Sequence, residues 1–188
     1  MNLKALFATA AVALCASTAN ATLINFDGFA PGSVQVVGSF DALGVRFNQD
    51  LLIGCGCGDL PSSPPNTALS NAPGDFAGNI TGFFLGPVTT VDFISVFAGD
   101  RGGDIDTVTL NGYDAFNILV ASDTFTATAA QTLSISAAGM VRFEILQSGR
   151  IAIDDFTFNP AAVPEPSTLA LIGLALAGVG AARRRLRS

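Results

Sequence analysis

The chain has 188 residues, enough for one domain with flanking segments, and 49% of them are apolar against 13% charged. It holds no histidine and no tryptophan, which excludes an imidazole general base and with it the Ser-His-Asp, Cys-His and His-ligated zinc arrangements. Five of the nine basic residues lie at the extreme ends, so residues 22–160 carry four arginines against fourteen acids, a formal charge of −10 that excludes nucleic acid as a partner.

Residues 1–21 read as a secretory signal peptide: Lys4 gives the positive start, Ala5 to Ala16 an apolar helix, and Ala19-Asn20-Ala21 the small residues that signal peptidase requires. Leu14 before Cys15 argues against a lipid anchor. Residues 22–160 follow as one body with no long 3.6-residue periodicity. Its β-branched and aromatic runs, cut by Gly, Pro, Asn and Asp, predict strands. They fall at Leu23–Asp27, Ser33–Phe40, Val45–Phe47, Thr67–Ser70, Ile80–Leu85 and Thr89–Ala98, then at Ile105–Tyr113, Asn117–Thr126, Gln131–Ser136, Met140–Leu146 and Arg150–Phe158. The fold class is all-β: an antiparallel β-sandwich of jelly-roll type, flanked by an N-terminal signal helix and a C-terminal hydrophobic helix.

Within the body, Cys55-Gly56-Cys57 leaves two thiols in the exported chain; in an oxidising compartment Cys55 and Cys57 are expected to pair as a local staple rather than to perform redox chemistry. The Pro-rich stretch Asp59–Pro73 reads as a long surface loop. In Val91–Ala98 both faces are largely apolar, as in a central strand covered on both sides. Asp100-Arg101-Gly102-Gly103-Asp104-Ile105-Asp106 reads as a solvated hairpin loop, because it lacks EF-hand spacing and any stacked repeat. Asn111-Gly112 is a hairpin dipeptide, yet the strand pattern runs through it, so the turn is placed at Asp114 to Asn117. Phe29, Phe76 and Phe116 stand in turn-like contexts that could expose them. In Gly139–Gln147, Val141, Phe143 and Ile145 share the core face and Met140, Arg142, Glu144 and Leu146 the opposite one, so that the charged Arg142 and Glu144 face water.

The last strand breaks its own alternation. Ile151 and Ile153 fall on one face and Phe156 and Phe158 on the other, unless one extra residue at Asp154-Asp155 restores the register; a β-bulge is predicted there. In jelly rolls the first and last strands are commonly neighbours, so Asp27 could approach Asp154 or Asp155. These three carboxylates, with carbonyls and water, could supply the oxygen ligands of a Ca²⁺ ion; the plainer reading is exposed aspartates at a bulge and a turn. With thirteen aspartates in the body, carboxylate pairs at glycosidase spacing arise by chance, and no catalytic residue is assigned.

Residues 161–188 form a second address. Pro164-Glu165-Pro166 precedes an apolar run from Leu169 to Ala182, and Arg183, Arg184, Arg185 and Arg187 follow as a positive stop. As a helix the run reaches about 21 Å, short of a hydrocarbon core of about 30 Å, so a transient stay in the inner membrane fits better than a durable anchor. This tail resembles the PEP-CTERM sorting signal of Gram-negative bacteria, which implies recognition by exosortase, a membrane cysteine protease, and association with exopolysaccharide and biofilm matrix. The body resembles, more loosely, the β-sandwich domains exported with such tails and carbohydrate-binding jelly rolls. Its Ile24-Asn25-Phe26-Asp27, Asp106-Thr107-Val108-Thr109-Leu110 with Tyr113-Asp114-Ala115, and Ile153-Asp154-Asp155-Phe156-Thr157-Phe158 carry that likeness.

The expectation is therefore a non-enzymatic exported protein of the cell surface or extracellular matrix, structural or adhesive in role. A calcium-dependent carbohydrate-binding module is the first alternative and an Asp-based hydrolase the second.

Overall fold

Runs of Val, Ile, Phe and Thr too short to close a stable helix bury one face each when paired side by side. The computed structural model describes residues 20–55, 63, 65–71, 78–86, 88–100 and 105–161. Its strands are β1 (Thr22–Ile24), β2 (Val34–Gln35), β3 (Val45–Phe47), β4 (Leu51–Cys55), β5 (Asn66–Ser70) and β6 (Ile80–Phe84), followed by β7 (Val91–Asp100), β8 (Asp106–Tyr113), β9 (Leu119–Ala127), β10 (Gln131–Met140), β11 (Arg142–Gln147) and β12 (Ile151–Pro160).

Sheet A has the order β10-β7-β12-β5-β4-β2, with β1 also on β12; sheet B has the order β3-β6-β11-β8-β9. Every pairing is antiparallel. This is the expected antiparallel β-sandwich, and the first strand does lie beside the last. The signal helix and the hydrophobic tail helix fall outside the described residues, among which no helix is long and apolar enough to cross a membrane.

The core is aromatic. Phe143 of β11 lies 5.6 Å from Phe47, 5.8 Å from Phe84 and 4.8 Å from Phe156, centroid to centroid. Its register partners on the two flanking strands are both glycine, Gly82 on β6 and Gly112 on β8. A Cβ at Gly82 would meet Phe143 Cζ at 2.6 Å and the Arg46 carbonyl oxygen at 2.5 Å, and one at Gly112 would meet the Met140 sulfur at 2.4 Å. The two glycines therefore make room for the ring and the thioether.

Phe143 and Ile145 face the core as expected, while Arg142 and Glu144 face outward. Met140 departs from the pattern: it ends β10, not β11, and is fully buried, because Gly139 at φ 79° turns the chain before it. The turn after β8 lies where expected. The Asp114 carboxylate accepts the N–H groups of Phe116 and Ile118, each at 2.9 Å, with Asn117 at φ 63°.

Other expectations are corrected. Leu51–Cys55 forms a strand that its short unalternating run concealed; the strand expected at Thr67–Ser70 is present as Asn66–Ser70, fully buried, so the surface loop expected over Asp59–Pro73 does not run through it. The strand expected over Ser33–Phe40 shrinks to Val34–Gln35. Gly38 at φ 95° breaks it, and a 3-10 turn over Asp41–Leu43 follows, ended by Gly44 at φ 88°. β7 is central, yet its outer-face Phe93 and Phe97 are only half-buried. The hairpin loop expected over Asp100–Asp106 falls on residues 101–104, which lie outside the described residues; the strands on either side, β7 and β8, belong to different sheets.

Candidate functional site

The site forms where β12 changes partner. Along one edge β5 pairs with Ala152 and Ile153, and β1 takes over at Phe156, Thr157 and Phe158. Asp154 and Asp155 lie at the exchange. On the other edge Asp154 opposes Phe97 and Thr157 opposes Ser95, three steps on β12 against two on β7. That extra residue is the predicted bulge, and Asp155 absorbs it at φ 45°, a left-handed conformation that Asp tolerates. Ile151, Ile153, Phe156 and Phe158 consequently all reach the core.

Asp154 is completely buried. Its Oδ2 accepts the Ser63 N–H at 2.9 Å and lies 3.3 Å from the Ser63 hydroxyl, and its Oδ1 accepts the Asp155 N–H at 2.8 Å. The same hydroxyl lies 2.9 Å from Asp155 Oδ1. Its single proton serves one carboxylate at a time. Asp27, in the turn after β1, accepts the Asn66 N–H at 3.0 Å, and the Asn66 amide donates to the Phe29 carbonyl at 2.8 Å. Asn66 is itself buried, and among the described residues its Oδ1 has no hydrogen-bond partner.

The structure thus brings Asp27, Asp154 and Asp155 into one electrostatic neighbourhood. Burial pushes the Asp154 carboxyl above its ordinary value, the N–H groups of Ser63 and Asp155 oppose that, and the negative charges of Asp155 and Asp27 add to it. An all-oxygen donor set, an orphaned buried amide oxygen and charge of one sign fit a hard cation in chemistry. The carboxylates do not make a cage by themselves: among the described residues no three Asp, Glu, Cys or His side chains are grouped to hold a metal ion. Asp27, Asp155 and Asn66 are the residues that would hold Ca²⁺, which would supply the counter-charge for the junction.

Ser63 and Asn66 escaped the sequence reading because they belong to a Pro-rich stretch taken as loop. The only signal was an Asn placed just before an apolar run. Cys55 ends β4, but its side chain and Cys57 lie outside the described residues, as do Phe76, Pro164, Glu165, Pro166, Arg183, Arg184, Arg185 and Arg187. Phe29 is half-buried against the core, and Phe116 is 85% exposed.

Residues 162–185 match the family described as the PEP-CTERM protein-sorting motif. The chain carries a PEP-CTERM sorting signal. It is thereby marked for export and for sorting by exosortase to the cell surface or the extracellular space. No curated protein matches the chain.

Among solved structures, the body is similar to a DUF4465 family protein from Bacteroides caccae at 8% identity and TM-score 0.51, covering 74% of this chain and 98% of that one. It is also similar to the arabinose-bound α-L-arabinofuranosidase MgGH51 at 13% identity and TM-score 0.49, covering 76% of this chain and 27% of the enzyme. At these identities the first likeness is one of fold alone. This chain spans about a quarter of the second protein's length.

Proposed function

We propose that this protein works without catalysis at the cell surface or in the exopolysaccharide and biofilm matrix, as a structural or adhesive β-sandwich. The observation that carries the reading is the sorting motif at residues 162–185, placed directly behind the sandwich. A body delivered by that route acts where it is sorted, and its acidic charge of −10 favours solubility and disfavours association with polyanions.

The test follows the full chain in an exosortase-bearing bacterium. The chain is expected in the surface or matrix fraction, with replacement of Pro164, Glu165 and Pro166 by Ala holding it in the membrane fraction, and its loss is expected to weaken cohesion of the matrix. Normal cohesion without the protein, together with turnover of a substrate by the purified chain, would overturn the reading.

A second reading, a calcium-dependent carbohydrate-binding module, is favoured by the uncompensated charge around buried Asp154. Glycan retention that disappears with EDTA and returns with Ca²⁺ would support it, and retention unchanged by EDTA would remove calcium from it.

A further inference from the structure

The outward face of sheet B holds a row that only the strand register reveals. Arg46 on β3 opposes Phe83 on β6, Phe83 opposes Arg142 on β11, Arg142 opposes Tyr113 on β8, and Tyr113 opposes Leu119 on β9. Their sequence neighbours Val45, Phe47, Gly82, Phe84, Gly112 and Phe143 are buried, so the row itself points away from the core. With strands about 4.8 Å apart, four intervals make a strip about 19 Å long.

The planar groups in this strip are fixed before any ligand arrives. Both carboxylate oxygens of Asp41 accept from Arg46, Oδ1 from its Nε at 2.9 Å and Oδ2 from its Nη2, and the guanidinium carbon lies 5.8 Å from the Phe83 ring centroid. Arg142 stacks on Tyr113 at 3.6 Å, donates from Nη1 to Glu144 at 2.9 Å and from Nε to the Asn117 side chain. The Tyr113 hydroxyl donates to the other Glu144 oxygen at 2.6 Å. Each guanidinium has five N–H donors in a rigid fork, of which these contacts use two.

Hydroxyls continue the same face. Thr109 pairs with Thr124 and Thr107 with Thr126, each at 2.9 Å, and Ser122 donates to Asn111 at 2.7 Å. Beyond Tyr113, the rigid hairpin turn presents Phe116 at 85% exposure.

Charge selects the occupant. Two of the body's four arginines stand in this strip, balanced by Asp41 and Glu144, so it is a neutral patch on a body of charge −10. A polyanion gains nothing from the paired guanidiniums and is repelled by the rest of the surface. Flat stacking surfaces beside ordered donors and hydroxyls match a ligand with flat apolar ring faces and many hydroxyls. We infer that the outer face of sheet B, along the row Arg46, Phe83, Arg142 and Tyr113, is a docking platform for an uncharged polysaccharide chain laid across the strands. The inference rests on the adhesive reading and names its surface and ligand class. Preformed side-chain contacts lower the ordering cost of binding.

The test is electrophoresis of the detergent-extracted full chain through gels containing glucomannan, arabinoxylan or mixed-linkage glucan, with alginate as the polyanion. Retardation is expected in at least one neutral gel, insensitive to added salt, and weakened about tenfold or more by Tyr113→Ala or Phe83→Ala. Ser136→Ala, on the exposed face of sheet A, should change nothing.

Tyr113 is the only tyrosine, so a difference spectrum of its phenol on adding the retarding glycan reads the platform without mutation and survives a variant that fails to fold. No retardation in any neutral gel, retardation confined to alginate, self-association that depends on Tyr113, or retardation as strong in the two Ala variants as in the wild type would each overturn the platform. If the chain still reaches the matrix and supports cohesion, the platform alone fails; if it does not, the adhesive reading fails as well.

Discussion

Gly82→Ala perturbs the sandwich at one atom. The new Cβ would lie 2.5 Å from the Arg46 carbonyl oxygen and 2.6 and 2.8 Å from two ring atoms of Phe143, where real Cβ contacts under 3.0 Å are essentially never found. The carbonyl belongs to β3, which pairs with β6 at this point, and the ring is wedged among Phe47, Phe84 and Phe156. Neither can withdraw without loosening an edge strand or a packed aromatic cluster. Overpacking of this kind costs about 1–3 kcal/mol, or roughly 3–5 °C of midpoint per kcal/mol for a body of this size. Urea unfolding followed by far-UV circular dichroism measures it, since a chain without Trp gives little fluorescence. Phe143→Leu shortens the ring side chain and should recover part of the cost in the double variant, a favourable coupling of about 1 kcal/mol. A Gly82→Ala protein with the wild-type urea midpoint would mean that β3, β6 and Phe143 are not packed as described.

Three further outcomes follow from the side-chain geometry. Because the Asp154 carboxyl is raised by burial, its protonation favours the folded chain; this share of stability is present below the ordinary value of 3.8 and lost as pH rises through the folded value. Midpoints measured from pH 7 downward should therefore gain from this group before acid unfolding begins, and Asp154→Asn should abolish that gain. Asp41 and Glu144 act in the opposite sense. Their values are lowered, chiefly by hydrogen bonds from Arg46 and Tyr113 respectively, so their contribution is lost as pH falls below the ordinary carboxylate range. Tyr113, raised mainly by its bond to Glu144, should ionise above its ordinary value of 10.0 when followed by phenolate absorbance, and Glu144→Gln should bring it back toward that value.

What the sequence revealed and what it hid divide along one physical line. The bulge at Asp154-Asp155 was legible because the parity of Ile151 and Ile153 against Phe156 and Phe158 is a local property of one strand. The outward faces of Arg142 and Glu144 were legible for the same reason. Ser63 was not, since its bond to Asp154 joins residues 91 apart, and nothing in a Pro-rich segment says where it folds back. The short apolar run Leu51–Cys55 lacked alternation because its strand lies inside sheet A between β5 and β2. The row from Arg46 to Leu119 needs the register of five strands, which no single stretch encodes.

Hydrogen bonding accounts for a carboxylate at 154 without any metal: two backbone N–H groups converge on its two oxygens, and an amide would turn a donor toward one of them. The same is not true of Asp155, which meets the Ser63 hydroxyl through one oxygen, a contact that Asn could make equally well. Asp27 accepts the Asn66 N–H through Oδ1 and the Asn25 side-chain amide through Oδ2. Among the described residues neither carboxylate is in an ion pair, and both charges add to the cost of ionising Asp154. Asp155→Asn keeps both the accepted bond and the left-handed backbone, which Asn tolerates at least as well as Asp. In calcium-free buffer this variant should be as stable as the wild type or more so, because it removes one repulsive charge. If Asp27, Asp155 and Asn66 hold Ca²⁺, the wild type should gain several degrees of thermal midpoint at millimolar calcium and Asp155→Asn should gain almost none. Equal gains in the two proteins would place any calcium effect elsewhere. No gain in either, at millimolar calcium, would leave the junction as a clasp between the first turn, the segment around Ser63 and the last strand.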